Sequence, residues 1–268
     1  MIRQIIKEIP FIGRGITFIY RAYYWNFYIP LFDNPFKPYD SPTLWLKQYF
    51  NLKNNLSIIQ IGSNDGKTGD PLFSLINEYK DCTAIFVEPI PYLYLKLKQN
   101  YNFGSRFVFE NIAINDGTKQ TFYSVSEYAK DAIPNLPSWY DQLGSFNKTN
   151  ILNHLDGILE PYIKETIIEG SSLKQLLKKN QINRIDILHI DTEGYDWKIL
   201  SQLDFEKYKP EIILYEHKHL SKKEKKASIN SLKKHNYTIF KLGGDFLGCN
   251  RSLLRTKIFS NLKAQKIL

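Results

Sequence analysis

The stretch Ser57-Ile-Ile-Gln-Ile-Gly-Ser-Asn-Asp-Gly-Lys-Thr-Gly-Asp70 decides how the rest of the chain is interpreted. Its apolar run, Ile58 to Ile61, is short and bounded by polar residues and glycine, which is typical of a buried strand. A glycine-rich turn follows, and apolar residues then recur at helical spacing over residues 72–79. Asp70 is predicted to be the N-cap of this helix and Pro71 its first residue. The stretch therefore predicts a strand, a glycine loop and a helix. Open α/β sheets use such a unit to bind a ligand at the carboxyl end of the strand.

The spacing of the glycines restricts which ligand this loop can hold. A dinucleotide fingerprint reads Gly-x-Gly-x-x-Gly, so that a pyrophosphate can sit on the helix N-terminus. Here the spacing is Gly62-x-x-x-Gly66, and Asn64 stands where the middle glycine is required. The departure argues against a pyrophosphate and favours a cofactor without phosphates, such as S-adenosylmethionine. By itself, the loop is equally compatible with a plain tight turn.

A second apolar run, Thr83 to Val87, ends at Glu88, which is followed by Pro89. A carboxylate at the end of the second strand can accept hydrogen bonds from both hydroxyl groups of a ribose. It falls about 20 residues past the loop, which is the offset expected for that role. The alternative is a solvated strand end, but the loop before it favours ribose binding.

The composition is that of a globular chain with a basic surface. With 268 residues, of which 43% are hydrophobic, it is long enough for one large α/β domain or two small ones. Its two cysteines, Cys82 and Cys249, make no disulfide framework, so a reducing compartment, the cytoplasm, is expected. A net charge of +9 favours anionic partners, such as a nucleotide-linked substrate, an anionic glycan, a membrane surface or nucleic acid. The densest basic run, Lys218 to Lys226, is interpreted as a solvated loop and helix start.

Residues 1–50 are predicted to be a separate, aromatic-rich N-terminal extension, followed by one domain over residues 51–268. No apolar run in the extension approaches the ~20 residues of a membrane span, and no secretory cleavage site follows. Its aromatic cluster from Tyr20 to Tyr28 either packs on its own domain, lies on a membrane surface as a peripheral contact, or joins two copies in an oligomer. A helix from Leu44 to Leu52 is predicted to cover the sheet.

Beyond residue 51, predicted strands alternate with predicted helices. Strands are predicted at 58–61, 83–87, 106–110, 185–190, 211–215 and 237–242, with 121–125 as an added edge strand. This alternation predicts an α/β fold with a doubly wound, mainly parallel sheet and helices on both faces. Residues 126–165 interrupt the alternation and are predicted to be an insertion that forms the wall of an acceptor site. In this insertion Trp139 and Tyr140 either stack on a sugar or base, or fill the interior of the loop.

Acidic and imidazole side chains follow the fourth and fifth of the predicted strands. The fourth is followed by Asp191-Thr-Glu-Gly194 and the fifth by Glu216-His-Lys-His219. Both segments should lie at the same edge of the sheet as Gly62 and Glu88. Such a group can deprotonate a hydroxyl or hold a divalent ion. Helix capping is the alternative role for Asp191.

These motifs resemble those of a known family. Gly62-x-Asn-x-Gly66, Glu88-Pro89, Asn111-x-Ala113, Gly144-Ser145, and Ile190-Asp-x-Glu-Gly194 with the downstream Glu216 resemble the FkbM family of S-adenosylmethionine-dependent methyltransferases. The resemblance covers about residues 56–243 and implies a class I, Rossmann-like methyltransferase fold. It also implies methylation of a hydroxyl on a sugar, glycan or natural-product acceptor. The chain departs from the family pattern at Gln60, where an acid is common, and at Asp65, where an apolar residue is common.

The resemblance also implies the site residues. The cofactor would contact Gly62, Ser63, Asn64, Asp65, Gly66, Glu88, Ile112, Ala113 and Asp191. The acceptor would face Asp191, Glu193, Glu216 and His217, with His217 or Asp191 as the base that removes the hydroxyl proton. No metal ligand is assigned, and a cation held by Asp191, Glu193 and Glu216 is the second hypothesis for activating the hydroxyl.

Three other functions compete with this interpretation. A nucleic-acid amino-methyltransferase would have Asn/Asp-Pro-Pro-Tyr after the fourth strand, where this chain has Asp191-Thr-Glu-Gly, so no nucleic-acid partner is expected. A nicotinamide oxidoreductase is disfavoured by Asn64. The third is a non-catalytic cofactor-fold module that serves as an interaction platform.

Overall fold

The structure is a computed structural model, and it describes residues 41–101, 104–254 and 265–267. In this part the helices are α1 Pro42–Phe50, α2 Phe73–Glu78, α3 Pro91–Asn100, α4 Ala129–Ala132, α5 Lys148–Leu152, α6 Leu173–Lys179, α7 Asp196–Leu200, α8 Lys222–Lys234 and α9 Arg251–Leu254. The strands are β1 Ser57–Ile61, β2 Thr83–Val87, β3 Phe107–Glu110, β4 Ala113–Ile114, β5 Gln120–Val125, β6 Gly144–Ser145, β7 Ile163–Ile168, β8 Gly170–Ser171, β9 Ile187–Ile190, β10 Ile212–Glu216, β11 Tyr237–Leu242, β12 Asp245–Asn250 and β13 Gln265–Ile267. Predictions about the aromatic cluster of the N-terminal extension lie outside the described residues.

The central sheet has eight strands in the order β13-β11-β12-β10-β9-β1-β2-β3. Strands β3, β2, β1, β9 and β10 run parallel, while β12 is antiparallel to both β10 and β11. The chain moves outward in one direction from β1 to β3 and in the other from β9 to β10. The strand order therefore reverses between β1 and β9, at the place where open α/β sheets bind their ligands.

Helices cover both faces of this sheet because its strands are apolar on both sides. Ile58 of β1 packs with residues of α1, α2 and α3, whereas Ile59 and Ile61 pack on the other face with α6, α7 and α8. Alternation of side chains along the strand produces this division. The predicted doubly wound α/β fold is confirmed.

The register of the strands brings the predicted motifs to one edge. Ile61 is paired in register with Val87 of β2 and with Ile190 of β9, and Ile190 is paired with Tyr215 of β10. The residues that follow these four positions therefore begin at the same level of the sheet. The glycine loop, Glu88, Asp191 and Glu216 meet there, as the sequence predicts.

Two predicted elements differ in the structure. The helix after the glycine loop begins at Phe73, and the Asp70 carboxylate accepts the backbone N–H of Leu72 at 2.8 Å in a turn before that helix, so Asp70 is not its N-cap. The predicted edge strand, β5, does not join the central sheet. It pairs with β6 and β7 in a separate three-stranded sheet, because the insertion supplies both of its partners.

The helix predicted over residues 44–52 is observed as α1, and it packs in the core through Trp45, Leu46, Tyr49 and Phe50. This part of the predicted N-terminal extension therefore belongs to the domain. The described residues contain no helix that is both long and apolar enough to span a bilayer. Cys82 and Cys249 are buried and unpaired, as predicted for small apolar side chains.

Candidate active site

The glycine loop lies between the ends of β1, β2 and β9. The backbone N–H groups of Gly62 and Ser63 both donate to the carbonyl of Val87 at 3.0 Å. Gly62 has φ +79°, and a Cβ atom at this position would lie 1.7 Å from the carbonyl oxygen of Asp191. Only glycine lets the loop pass so close to the end of β9, which explains this position of the motif.

Glu88 is buried beneath the loop and is held by two backbone amides. One carboxylate oxygen accepts the N–H of Asn64 at 2.8 Å, and the other accepts the N–H of Ile90 at 2.8 Å. Burial raises its pKa to about 7, although these two hydrogen bonds act to lower it. A carboxylate oxygen has two lone pairs, so each oxygen keeps one position for a further donor. Two hydroxyl groups on adjacent carbons, as in a ribose, match that arrangement.

A cleft of about 510 Å³ opens beside Glu88. Ile112 and Ala113 form one wall, as predicted, and the aromatic rings of Phe122 and Phe146 form another. Apolar walls around a buried carboxylate suit a nucleoside, whose base is flat and apolar on its faces and whose sugar carries hydroxyl groups. The residues present therefore fit an adenosyl group.

A second cavity of about 730 Å³ continues from the cleft and shares Gly62, Asn64, Asp191 and Glu193 with it. Its other walls include Gln60, Ser63 and Asp70 on the side of the glycine loop. On the opposite side they include Trp139, His154 and Lys218. The two cavities meet at Asp191 and Glu193, which can therefore face both ligands of a bisubstrate reaction.

Two predicted cofactor ligands do not line these cavities. The Asp65 carboxylate accepts the N–H groups of Lys67 and Thr68 at 2.9 and 2.8 Å and the Thr68 hydroxyl at 2.7 Å, so it closes the turn. A Cβ atom on Gly66 would lie 2.4 Å from Leu97 and 2.6 Å from Tyr101, so this glycine lets the loop pack on α3. Both residues shape the loop, and the geometry gives no support to their prediction as ligand contacts.

A cluster of two histidines and one glutamate lies at the boundary of the second cavity. One carboxylate oxygen of Glu193, Oε2, lies 3.3 Å from Nε2 of His154 and 3.3 Å from Nε2 of His219. The side chains of His154 and His219 are only 9% and 13% exposed, so these contacts are shielded from water. We refer to His154, Glu193 and His219 as the His–Glu–His cluster.

The insertion helps to hold this cluster in place. The backbone carbonyl of Glu193 accepts hydrogen bonds from the Ser145 hydroxyl at 3.0 Å and from the Asn150 side-chain amide at 2.5 Å. His154 lies in a short 3-10 turn of the same insertion, next to the Trp139 ring, with ring centres 5.8 Å apart. The insertion thus contacts the end of β9, which agrees with its predicted role as a wall of the site.

Acidic groups around the cavities have perturbed pKa values. Burial, followed by the charges of Glu193 and Asp196, raises the pKa of Asp191 well above its ordinary value. Burial and the charges of Asp191 and Glu193 raise the pKa of Glu216 to about 10. Burial acts to raise the pKa of Glu193, but the hydrogen bond to His154 and the charge of His219 lower that pKa overall. The site therefore combines one ionised carboxylate with neighbours that resist ionisation, a pattern common in functional sites.

Two predicted catalytic residues occupy other positions than expected. The ring of His217 stacks on Phe246 with centres 3.9 Å apart, and neither of its nitrogens lies on the two cavities. Glu216 does not line them either, but its Oε1 lies 3.6 Å from Nε2 of His219 and supports the cluster from behind. The imidazoles beside Glu193 are those of His154 and His219; His154 lines the second cavity, whereas His219 lies outside both cavities.

The two aromatic residues of the insertion, Trp139 and Tyr140, occupy different environments. Tyr140 is buried in the interior of the insertion, and its hydroxyl donates to the carbonyl of Glu127, whereas Trp139 lines the second cavity. The contribution of His154 was missed by sequence reasoning. The available signal was that His154 is a histidine within an insertion that the sequence already predicts to form the acceptor wall.

The sheet order, the glycine loop and the carboxylate at the end of β2 define a class I methyltransferase of the Rossmann-like type. The family model of the methyltransferase FkbM domain matches residues 60–241, which is well over half of the chain, and the protein belongs to this family. Its methyl donor is accordingly S-adenosylmethionine. The predicted family, fold and cofactor are confirmed.

Several solved methyltransferase structures are similar to this chain. Human methyltransferase-like protein 13, in complex with SAH, shares 11% identity with a TM-score of 0.41, over 83% of this chain and 88% of that chain. The plantazolicin methyltransferase BpumL, in complex with a desmethylPZN analog and SAH, shares 12% identity with a TM-score of 0.39, over 94% and 100%. TrmK of M. capricolum, in complex with S-adenosyl-homocysteine, shares 16% identity with a TM-score of 0.34, over 76% and 66%. No curated protein matches the chain.

Proposed function

We propose that this methyltransferase transfers the methyl group to a hydroxyl oxygen of a sugar, glycan or natural-product acceptor. The observation that supports this choice is the His–Glu–His cluster, which lies where the cofactor cleft meets the second cavity. An alcohol is a poor nucleophile while it keeps its proton, so its methylation requires a group that withdraws the proton. An imidazole paired with a carboxylate is suited to that task.

Within this proposal the cleft residues hold the cofactor. Glu88 accepts the ribose hydroxyl groups, and Ile112 and Ala113 lie against the adenine. Gly62, Ser63 and Asn64 lie along the methionine side, in the direction of Asp191. The ionised carboxylate of Glu193 beside this region favours a donor that carries a positive charge at the reacting end.

The reaction requires removal of one proton and transfer of one methyl group. S-adenosylmethionine supplies an electrophilic methyl carbon, whose bond to sulfur breaks, with the electron pair remaining on sulfur, as the acceptor oxygen bonds to the carbon. In the protein-only form of the mechanism, the hydroxyl proton passes to the imidazole of His154, the histidine of the cluster that lines the second cavity. Glu193 then stabilises the imidazolium through its charge. The residues contribute chiefly by aligning the oxygen with the methyl group.

Residues of the second cavity support an acceptor with sugar-like chemistry. Trp139 offers an aromatic face on which the apolar side of a sugar ring can stack. Lys218 lies on the same cavity and can pair with a phosphate or carboxylate of the acceptor, such as that of a nucleotide-linked sugar. A cytoplasmic location, where such sugars serve as donors and intermediates, forms part of this proposal.

Methyl transfer can be tested with isotopically labelled cofactor and a panel of nucleotide-linked sugars, free sugars and glycans, read by mass spectrometry. The proposal expects the label on a hydroxyl oxygen of at least one acceptor. The matched deoxy analogue, which lacks that hydroxyl, is the control and should not be labelled. Label on a nitrogen, or label on nucleic acid in a parallel reaction, would contradict the proposal.

A pair of variants tests the assignment of the imidazole. His154→Gln should reduce kcat/KM by about 10²–10⁴-fold, since it removes a general base that lines the second cavity. His217→Gln should reduce it by less than about tenfold, because this ring packs on Phe246 outside the cavities. Cofactor affinity and thermal unfolding are measured for both variants to verify that they fold. An equal loss in both variants would contradict the assignment.

A non-catalytic module is the alternative that the same assay can address. Such a module would bind the cofactor and give no product with any acceptor. An enzyme should instead lose its product formation when Asp191 and Glu216 are both replaced with alanine, while a double variant at exposed Lys222 and Lys223 on α8 serves as the control. Unchanged product formation in the Asp191 and Glu216 variant would contradict the proposed site.

A further inference from the structure

The His–Glu–His cluster consists of three side chains brought together from three separate segments. His154 comes from the insertion, Glu193 follows β9, and His219 follows β10. One potential ligand atom from each residue lies within 4.8 Å of the other two. Among the described residues this is the group of histidine, cysteine and acidic side chains with the geometry to hold a metal ion.

The two distances from Glu193 to the histidines match those between ligands of one ion. Both imidazole Nε2 atoms lie 3.3 Å from Glu193 Oε2. Ligands that bind a tetrahedral ion at about 2.0–2.2 Å are separated from one another by roughly 3.3–3.5 Å. Nε2 of His219 is buried, and no hydrogen-bond partner is found for it among the described residues. A metal ion would satisfy this nitrogen, which the neighbouring carboxylate does not.

The backbone that presents these ligands is held in an uncommon conformation. Leu155 and Asp156, directly after His154, have φ values of +50° and +53°, and Glu193 has a φ of +50°. Each such residue costs about 1–3 kcal/mol, and this kind of strain is concentrated at functional sites. The Glu193 backbone is fixed by Ser145 and Asn150, so the carboxylate is directed by contacts outside the cluster. These features indicate a site that is built for a ligand.

We propose that His154, Glu193 and His219 bind one divalent transition-metal ion of the zinc type. Two imidazole nitrogens and one carboxylate are the donors of catalytic zinc sites, which keep the fourth position open. Mg²⁺ and Ca²⁺ prefer sites made of oxygen alone, so the donor set selects against them. His154 and Glu193 line the second cavity, so an ion held by them would be accessible to the acceptor.

The role of this ion in methyl transfer rests on the proposed function, whereas its binding does not. An acceptor hydroxyl at the open position would bind the ion through oxygen, which lowers the pKa of the hydroxyl. Its proton would leave to water, and the oxygen would then bond to the methyl carbon as the carbon–sulfur bond breaks. The ion would thereby replace proton transfer to the His154 imidazole. The ion is not consumed, and no oxidation or reduction takes place.

Metal binding can be measured directly, without an acceptor. Untagged full-length protein is treated with a chelator, dialysed, and titrated with Co²⁺ while visible absorption is recorded, followed by competition with Zn²⁺. We expect one Co²⁺ per chain, with the intense bands of a low-coordinate site, and its complete displacement by Zn²⁺. Saturating Mg²⁺ should leave the spectrum unchanged. Absence of stoichiometric Co²⁺ and Zn²⁺ binding to the wild-type protein would overturn the proposal.

Variants identify the ligands. His154→Ala, His219→Ala and Glu193→Gln should each weaken Zn²⁺ binding by at least about 100-fold, since removing even an outer-shell partner costs 10–100-fold. His235→Gln is the control, because this histidine lies at the end of α8 and stacks on Phe205. Circular dichroism and thermal unfolding show that each variant is folded. Zn²⁺ binding that survives all three cluster variants would assign the ion to other residues and overturn the proposal.

The two proposals fail in distinguishable ways. If the metal binds as expected but no hydroxyl acceptor is methylated, the proposed function fails and the metal site stands. If transfer to a hydroxyl proceeds at full rate in chelator-treated protein shown to contain no metal, the role of the ion fails and the proposed function stands. Activity that is lost with the chelator and restored by Zn²⁺ or Co²⁺ supports both.

Discussion

Single positions in this protein have roles that depend on what packs against them. Gly62 and Gly66 belong to the same glycine loop, but Gly62 makes room for the end of β9 and Gly66 makes room for α3. His217 and His219 belong to the same short segment, but only His219 lies beside Glu193. In each pair the two residues are of the same type and close in sequence, but different parts of the structure pack against them. Predictions about individual residues therefore follow from measured contacts rather than from motif membership.

Glu88 provides a prediction for cofactor binding at this scale. Its carboxylate should accept the ribose hydroxyl groups best when ionised, and burial raises its pKa to about 7. Below pH 7, protonation competes with binding, so the apparent Kd for S-adenosylmethionine should rise by up to about tenfold per pH unit. Glu88→Gln should weaken binding by about 10–100-fold at pH 8, the cost of losing hydrogen bonds to a charged acceptor, and should remove the pH dependence.

Calorimetric titration between pH 5.5 and 8 measures this dependence. Glu110→Gln is the matched control, since Glu110 also ends a strand but pairs with Lys179 at 2.6 Å and with Asn180. A wild-type Kd that does not change over this range would show that Glu88 does not bind the ribose as a carboxylate.

At the scale of secondary structure, the strand–loop–helix unit positions the site. β1 stops at Ile61 in register with its neighbours, and the loop that follows is packed against both β9 and α3. The insertion contributes a second set of contacts, through the three-stranded sheet formed by β5, β6 and β7. The cavities lie between these two units, so loosening of either should affect ligand binding.

Gly66→Ala tests the packing of the glycine loop on α3. Alanine at φ +69° should cost about 1–2 kcal/mol of unfolding free energy, and its methyl group would press on Leu97 and Tyr101 for a further ~1–3 kcal/mol. Gly69→Ala is the matched control, because Gly69 has φ +76° but no atom lies within 4 Å of the position that its Cβ would take. The Gly69→Ala variant should lose only the unfolding free energy that comes from backbone conformation, without the contribution from packing.

Denaturant unfolding, analysed with the same m-value for both variants, gives the free energy of unfolding of each. The difference between the two variants isolates the contribution of packing. If Gly66→Ala is no less stable than Gly69→Ala, the close approach of the loop to α3 does not contribute to stability.

For the whole molecule, the dominant feature is an accumulation of buried acids at the carboxyl edge of the sheet. Desolvation raises the pKa to about 6 for Asp70 and to about 7 for Glu88, Asp196 and Asp245. Among the described residues opposing charges are few in this region, and Lys218 is the cation that acts on Asp245. Ionising these acids lowers the free energy of unfolding of the ligand-free protein, and a bound cationic ligand offsets that loss. The charge of the acids therefore affects both stability and ligand binding.

The stability of the ligand-free protein should therefore decrease as the pH rises from about 5 to 7.5. In this interval the folded state binds more protons than the unfolded state at these four acids, so the slope of unfolding free energy against pH is negative. The histidines His189, His217 and His219 act in the opposite direction, because burial lowers their pKa values. We expect a net gain of about 2 kcal/mol at pH 5.5 relative to 7.5, or roughly 4–8 °C in Tm.

Calorimetry of metal-free, cofactor-free protein at several pH values checks this expectation. S-adenosylmethionine added at pH 7.5 should recover part of the lost stability, since it binds only the folded state. A Tm that rises steadily from pH 5.5 to 7.5 would show that the buried acids are matched by charges in the ligand-free protein.

The amino-acid sequence by itself determined the sheet and the level at which its strands end. Apolar runs such as Ile58 to Ile61 and Thr83 to Val87 are local signals, and glycine and acidic residues mark where they stop. Because parallel strands end at a common edge, the meeting of Gly62, Glu88 and Asp191 followed from the order of elements alone. The hairpin of β11 and β12 and the separate sheet of β5 were not foreseen, since strand partners are chosen by long-range packing.

Only the tertiary structure decided which side chains form the reactive cluster. The turn after β10 and the stacking of His217 on Phe246 determine that His219 points to Glu193. His154 reaches the same carboxylate from 39 residues earlier in the chain, through the packing of the insertion on the end of β9. Contacts of this kind depend on how distant segments pack together, and no local pattern of residue types specifies them.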